Sequence, residues 1–420
     1  MNEYQKLLHE KEAYKQNMQA KLKKHGVAIN LSINAPGFTK NLNITNLLIA
    51  HIDKVLNIDY IDKEINRNTW QGTQITYYLT NKDPEDIKKQ MIEFEDTHEL
   101  GRFLDLDVYA TNRSSSLSRD TLRKCYLCDL PAFVCQKNKT HTQDELESYY
   151  INKVQTYFNN IAQEMIKSSI VTELNLDPKF GLVTPKTSGS HDDMDYDLMI
   201  TAMEAITPFL VKMFKVSYKE TDIDVILTLN KQLGINAEDA MFKATKGVNC
   251  YKGLIFNLGL LITATTYYVS NIDNNLSLKK LVMLFSKKFF DLEDDNLDTF
   301  GKQVYDSTLF GGVRFHSLRG MPRVLDDKLT GLSDEELTMS LIHIIKHIED
   351  SVFLKRSGSY SEMNTYQEYF YEIEKYDKDL ILELTEFLIS RKISFGGAAD
   401  LLVCQIYLYK FNNLFSSIWA

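Results

Sequence analysis

The rhythm of hydrophobic and polar positions along this chain changes once. In the first third, apolar and polar residues alternate in VAINLSIN (27–34) and FLDLDVY (103–109), the spacing of half-buried strands, and TQITYYLT (73–80) carries a strand signal between them. The turn APG closes the first of these runs. Between them, residues 3–24, residues 44–56 and a segment opening at Pro84 carry helical spacing, and proline suits a first helical turn. From Thr142 onward the alternation stops. A helical rhythm fills TQDELESYYINKVQTYFNNIAQEMIKSSIVTELNL and then residues 195–215, 250–270, 278–292, 335–354, 365–390 and 398–415. The pattern predicts two domains, a mixed α+β one over 1–165 and an all-α helical one over 166–420, and 420 residues are enough for two cores. No Pro, Gly or Ser-rich linker marks the change of class near residue 165, so a helix is expected to run across it.

Charge narrows the ligand classes. A net charge of −9 argues against general nucleic-acid binding, which needs many phosphate contacts from Lys and Arg. A phosphate-rich small molecule would need a local basic cluster. The polar N-terminus MNEYQKLLHEKEAYKQ has no signal-peptide pattern, and five cysteines fit a reducing compartment, so a cytoplasmic location is expected. The longest apolar run, GLIFNLGLLITATTYYV from Gly253, contains an asparagine and two glycines and is read as a buried helix with no membrane role.

Two motifs of the first domain carry chemistry. In GRFLDLDVY, Asp105 and Asp107 stand two apart on a strand, so both carboxylates point to one face, as a Mg²⁺ site for nucleotidyl transfer requires. A solvent-facing strand gives the same letters. Gly101 and Arg102 just before them suit close approach to phosphate. The second motif, CYLCDLPAFVCQKNKTH, offers Cys125, Cys128, Cys135 and His141, a set that either closes a tetrahedral structural zinc site or stays as reduced thiols on a loop.

With SINAPGFTKN and HELGRFLDLDVY, the segment LSRDTLRKCYLCDLPAFVC and its following histidine resemble the holo-(citrate lyase acyl-carrier protein) synthase family over about residues 5–160. The resemblance implies a nucleotidyltransferase-like domain that attaches a phosphoribosyl-dephospho-CoA group to a serine of an apo acyl-carrier protein and releases pyrophosphate. It also implies metal and catalytic roles for Asp105 and Asp107 and a phosphate contact for Arg102. Arg119, Arg123, Lys124, Lys137 and Lys139 are then either a docking patch for an acidic carrier or a solvated basic face.

In the second domain, SGSHDDMDYD (188–197) crowds four aspartates and His191 ahead of an apolar run. Helix N-termini favour one or two acids, with Ser188 or Ser190 as cap, but four repel one another unless solvent, lysines or a cation offsets them. A helix starting near Ser190 would put His191 with Asp195 and Asp193 with Asp197. Lys179 and Lys186 flank the preceding loop. A second loop, ATKGVNCYKGLIF (244–256), brings Lys246, Asn249 and Lys252 to a helix start, either an anion cradle or an ordinary capped turn. DSVFLKRSG (350–358) contributes Arg356, and FGGAADLLVCQIYLY (395–409) puts Asp400 among apolar neighbours, where a lone acid needs a partner.

LDPKFGLVTPKTSGSHDDMD, KGVNCYKGLIFNLGLL, DSVFLKRSG and GGAADLL together resemble the triphosphoribosyl-dephospho-CoA synthase family over about residues 165–415. The resemblance implies joining of ATP to 3′-dephospho-CoA with loss of adenine, which yields the substrate of the first domain. By it, Asp193 and Asp195 become Mg²⁺ or ribose-handling groups. Lys179, Lys186, His191, Lys246, Asn249, Lys252 and Arg356 become phosphate or nucleotide contacts. Asp193, Asp195 and Asp400 are the unranked carboxylates for catalysis, and Asp192 is a solvated residue. In GGVRFHSLRGMP, Phe315 and His316 replace the family's Gly-Glu pair after the arginine, so no role is carried over to Arg314. Two other readings stay open: a helical Mg²⁺-dependent nucleotide or ribosyl hydrolase, and a non-catalytic assembly protein of citrate lyase.

Overall fold

The computed structural model describes residues 3–69, 72–111, 113, 115–291, 316–350, 353 and 360–416. They fall into two compact units: Met1–Phe158 with Val269–Asp273 and Leu414–Trp419, and Asn159–Tyr268 with Asn274–Asn413.

The first unit is built on a four-stranded antiparallel sheet in the order β2-β3-β1-β4: β1 Val27–Ile33, β2 Asp62–Thr69, β3 Gly72–Leu79 and β4 Leu104–Ala110. Helices α1 Glu3–His25, α2 Asn43–Val55, α3 Pro84–Thr97 and α4 Ala132–Asn138 accompany it, and α5 Gln143–Leu174 begins there. The central strands β1 and β3 are buried throughout, so β1 is not half-buried as its alternation suggests. The reason lies in α1, which packs Met18 and Leu22 on Ala28 and Tyr78 and sends the Tyr14 hydroxyl to Asn30 at 2.6 Å, satisfying a polar strand position. Strand β2 escapes the pattern because DKEINRNT is polar at nearly every position. It is an edge strand fixed by charge, with Lys21 2.8 Å from Asp62 and 2.6 Å from Glu64.

The second unit is helical among its described residues. After the rest of α5 come α6 Tyr196–Lys219, α7 Ile223–Ala244, α8 Lys252–Ser270, α9 Leu278–Asp291, a one-turn helix Pro322–Leu325, α10 Asp334–His347, α11 Tyr360–Tyr371, α12 Lys378–Ser390 and α13 Gly396–Leu414. Helix α5 does run across residue 165. Helix α7 breaks its apolar stripe with buried Asn230, which donates to Thr263 at 2.9 Å, so its periodicity is weak in the sequence. The single run expected over 365–390 is two helices, because the Asp377 carboxylate caps α12 by accepting from the N–H groups of Asp379 and Leu380. Helix α8, long and apolar enough to cross a bilayer, lies buried in its unit.

Candidate active sites

On β4, an edge strand, Asp105, Asp107 and Tyr109 share the half-buried face while Leu104, Leu106 and Val108 are buried. Ser32 and Asn30 of β1 stand opposite Asp105 and Asp107. Helix α3 fastens the strand between the two aspartates. The Leu106 N–H donates to Glu95 at 2.8 Å, and the Leu106 carbonyl accepts from Lys88 at 3.1 Å. Arg123 then ties Glu95 to Asp105, at 2.7 and 3.2 Å. Burial, and next the charge of Asp105, push the Asp107 carboxyl above the usual range. Two carboxylates in mutual repulsion on a fixed strand suit a divalent cation, so this pair fits Mg²⁺. Arg102 lies over the Tyr126 ring, 4.7 Å from its centroid, and donates through Nε to the Lys124 carbonyl at 2.7 Å. Its Nη1 is buried and has no hydrogen-bond partner among the described residues.

The cysteines lie on a short ribbon. Lys124 bridges to Pro131, the Cys125 N–H donates to Leu130, and the Ala132 N–H donates to Arg123, both at 2.8 Å. Cys135 follows on α4, and Lys139 ends that helix with φ 50°, turning the chain toward His141. Cys128 Sγ lies 3.4 Å from Cys135 Sγ and 3.4 Å from His141 Nε2. All four ligand atoms are within 4.8 Å of one another. A tetrahedron with Zn–S bonds of ~2.3 Å needs ligand separations of about 3.8 Å, so the set has zinc dimensions. Burial opposes ionisation of Cys125, but the N–H groups of Leu127 and Cys128 and the neighbouring thiols outweigh it and lower its pKa. Backbone donors turned toward a thiolate suit a metal knuckle. Of the five basic residues read as a patch, Arg119 and Arg123 are turned inward onto Glu95, at 3.6 and 2.7 Å, which removes them from an exposed face.

In the second unit the acidic cluster does not begin a helix at Ser190. Asp195 caps α6 instead, accepting from the Leu198 N–H at 2.9 Å, because a carboxylate there satisfies a free helical donor. His191, Asp193 and Asp195 therefore precede the helix, with His191 Nδ1 3.9 Å from Asp193 Oδ1, and the expected pairing of faces fails. The loop before them folds back tightly. Gly181 and Gly189 have φ of 76° and 59°, and a Cβ on either would meet the Ile393 or Gly181 carbonyl oxygen at 2.1 or 2.3 Å. Asp192 is exposed but pairs with Lys392.

A second group of acids lies deeper. Asp350 accepts from the N–H groups of Gly397 at 2.9 Å and Ala398 at 3.3 Å, closing the N-terminus of α13 one turn before Asp400. Glu173 is buried with Lys179, whose ammonium stands 2.9 Å away. Burial, and then the charges of Asp350 and Glu173, raise the Asp400 carboxyl well above the usual range. Among the described residues no cation lies within ion-pair distance of Asp400. Cys250 sits in the field of Asp193 and Asp195, and its neighbour Tyr251 in that of Glu173 and Asp400, so these two residues join both acid groups. The buried Tyr251 hydroxyl has no hydrogen-bond partner among the described residues. Gly253 in the first turn of α8 leaves room for the acid: a Cβ there would lie 2.3 Å from Asp400 Oδ2. Gly253→Ala is accordingly expected to displace that carboxyl and cut the activity of this unit at least about ten-fold, with unchanged activity of the first unit as the internal control.

The expected phosphate contacts differ in what already holds them. Lys186 pairs with Asp177 at 2.6 Å and Lys252 with Glu238 at 2.9 Å, both near the surface. Lys246 is exposed, and Asn249 accepts the Lys252 N–H at 3.0 Å. Lys179 faces inward and is committed to Glu173. Arg356 and Arg314 lie outside the described residues. Glu173, Asp350 and Tyr251 were not singled out from the sequence, although each lies inside or beside a quoted motif. Their signal was position alone, since a carboxylate at a helix end looks like a cap.

Residues 159–418 match the family described as ATP:dephospho-CoA triphosphoribosyl transferase, and residues 2–157 match apo-citrate lyase phosphoribosyl-dephospho-CoA transferase. "Protein CitXG" of Leuconostoc mesenteroides subsp. cremoris is 31% identical over 425 residues, 91% of each chain. "Protein CitXG" of Haemophilus influenzae is 28% identical over 90% of this chain and 86% of its own. A probable 2-(5''-triphosphoribosyl)-3'-dephosphocoenzyme-A synthase of Photobacterium profundum is 30% identical over 59% of this chain and 86% of its own.

Proposed function

Because the chain belongs to the ATP:dephospho-CoA triphosphoribosyl transferase family, here joined to an apo-citrate lyase phosphoribosyl-dephospho-CoA transferase, we propose that its two acidic sites act in turn on one prosthetic group. The protein is a bifunctional transferase of citrate lyase maturation. It makes 2'-(5''-triphosphoribosyl)-3'-dephospho-CoA from ATP and 3'-dephospho-CoA, releasing adenine. It then passes the phosphoribosyl-dephospho-CoA group to a serine of the apo acyl-carrier protein, releasing pyrophosphate. The two family spans support assigning residues 1–165 to transfer and 166–420 to synthesis.

In the synthase half, the observation that carries the reading is the raised Asp400 beside two further acids. Asp400, whose proton is held more tightly than an ordinary carboxyl's, gives it to the departing adenine as the ribose C1–N bond breaks. Asp193 or Asp195 takes the proton of the CoA ribose 2'-hydroxyl as the new C1–O bond forms. The same carboxylates offset positive charge developing on the ribose. Lys246, with Lys186, Lys252 and Arg356, meets phosphate charge, His191 and Asn249 orient the nucleotide, and Lys179 neutralises Glu173. Mg²⁺ held by Asp193 and Asp195 would supply further charge neutralisation on the triphosphate. Free adenine measured with and without dephospho-CoA tests this: release only when dephospho-CoA is present is expected, and equal release in its absence would establish a hydrolase instead.

In the nucleotidyltransferase-like half, Asp105 and Asp107 would hold Mg²⁺, and such an ion would supply charge neutralisation at the leaving pyrophosphate. Arg102 offers its buried Nη1 to a phosphate oxygen. The serine hydroxyl of the carrier attacks the phosphorus next to the ribose, the P–O bond to pyrophosphate breaks, and Asp105 or Asp107 accepts the proton. Cys125, Cys128, Cys135 and His141 would hold structural zinc, and with it bound they would fix the ribbon that keeps Arg123 on Asp105. About one zinc per chain is expected by elemental analysis. Stripping the zinc, removing the chelator and assaying in excess Mg²⁺ is expected to lower carrier modification while adenine release persists, and a zinc-free protein with full transfer would contradict the assignment.

A further inference from the structure

The cysteine ribbon exposes large apolar side chains beside the charged Lys124 and Asp129. Leu122, Leu127, Leu130 and Phe133 are 69, 37, 48 and 56% exposed, four large hydrophobic side chains within twelve residues. Scattered exposed leucines are ordinary, but a cluster on one short ribbon marks an interaction surface. Lys137 and Lys139 at the end of α4 are exposed beside it and make no ion pair among the described residues. With Arg119 and Arg123 turned onto Glu95 and Lys124 3.1 Å from Asp129, Lys137 and Lys139 are the two of the five basic residues from Arg119 to Lys139 without an ion pair among the described residues. The inner side of the same ribbon ends on the carboxylates, through Arg123 at 3.2 Å from Asp105.

Transfer to a protein serine requires a protein-binding face within reach of those carboxylates. Resting on the reading of this unit as the transferase, we infer that the ribbon is the docking surface for the apo acyl-carrier protein: Leu122, Leu127, Leu130 and Phe133 receive an apolar stripe of the carrier, and Lys137 and Lys139 its acidic rim. The apolar side chains supply affinity once desolvated, and the lysines steer the encounter. A small nucleotide has no use for four exposed hydrophobic groups beyond the carboxylates.

The test uses the full chain with supplied triphosphoribosyl-dephospho-CoA and increasing apo-carrier. Two variants are compared with wild type, Leu130→Ser with Phe133→Ser and, separately, Lys137→Glu with Lys139→Asn. For each, the KM for carrier is expected to rise about ten-fold or more, with kcat and the nucleotide KM within about two-fold of wild type. Bound metal and adenine release should be unchanged, and the effect of the lysine pair should shrink in high salt. An unchanged carrier KM in both variants overturns the inference. So does a loss confined to kcat, which would make the ribbon a positioning element. If sedimentation shows wild type self-associating and the variants monomeric, a second copy covers the patch and the carrier does not. Wild type that binds the carrier but transfers nothing would refute the transferase reading and leave the docking surface standing.

Discussion

An Asp400→Asn variant is expected to lose adenine release by about 10²–10⁴-fold, the contribution of a positioned proton donor, while its transfer of supplied triphosphoribosyl-dephospho-CoA to the carrier stays at the wild-type rate. The side chain keeps its size and loses only the transferable proton. The pH profile adds a second readout. Asp400 is raised above the ordinary carboxylate range by burial and by Asp350 and Glu173, so its protonated form persists to higher pH than that of an ordinary carboxyl and is lost as pH rises through that raised value. Wild-type adenine release should therefore fall on the alkaline side, and the residual activity of the variant should lack that limb. Full activity in the variant, or an unchanged alkaline limb, would remove Asp400 from the acid role.

The second large effect belongs to the other half. Asp107→Asn is expected to reduce carrier modification by about 10²–10³-fold, the scale of one lost electrostatic contact to a reacting phosphoryl group, and to leave adenine release untouched. Asp107 is raised by burial and by Asp105, and it is the ionised form that repels its neighbour and attracts a cation. Transfer should therefore decline as pH falls through the raised value, opposite in sign to the synthase. Steady transfer at wild-type rate by the variant would show that the Asp105–Asp107 face is an ordinary half-solvated strand.

How much of this was legible depended on whether neighbours in the chain stayed neighbours in space. The D-x-D pair was readable because a strand has a period of two, and nothing tertiary is needed to put Asp105 and Asp107 on one face. The four zinc-type ligands were readable as a set, although only the folded ribbon brings His141 to Cys128. The acid cluster at 191–195 was misread in detail: Asp195 took the cap, and the helix began after it. The deeper acids were hidden because Glu173, Asp350 and Asp400 come from three distant segments, and only tertiary packing makes their charges interact. Lys179 shows the same limit. In sequence it flanks a loop and suits phosphate, whereas in the fold its ammonium is buried against Glu173. Strand β2 was invisible because an edge strand stabilised by Lys21 needs no hydrophobic alternation.

The most direct test of one chain performing both steps is a single reaction containing the purified protein, ATP, 3'-dephospho-CoA, Mg²⁺ and apo acyl-carrier protein, read by the intact mass of the carrier. The account predicts a carrier heavier by one phosphoribosyl-dephospho-CoA group, with one adenine and one pyrophosphate released per modified carrier. A carrier of unchanged mass despite adenine release, or modification that requires a separately added synthase, would contradict it.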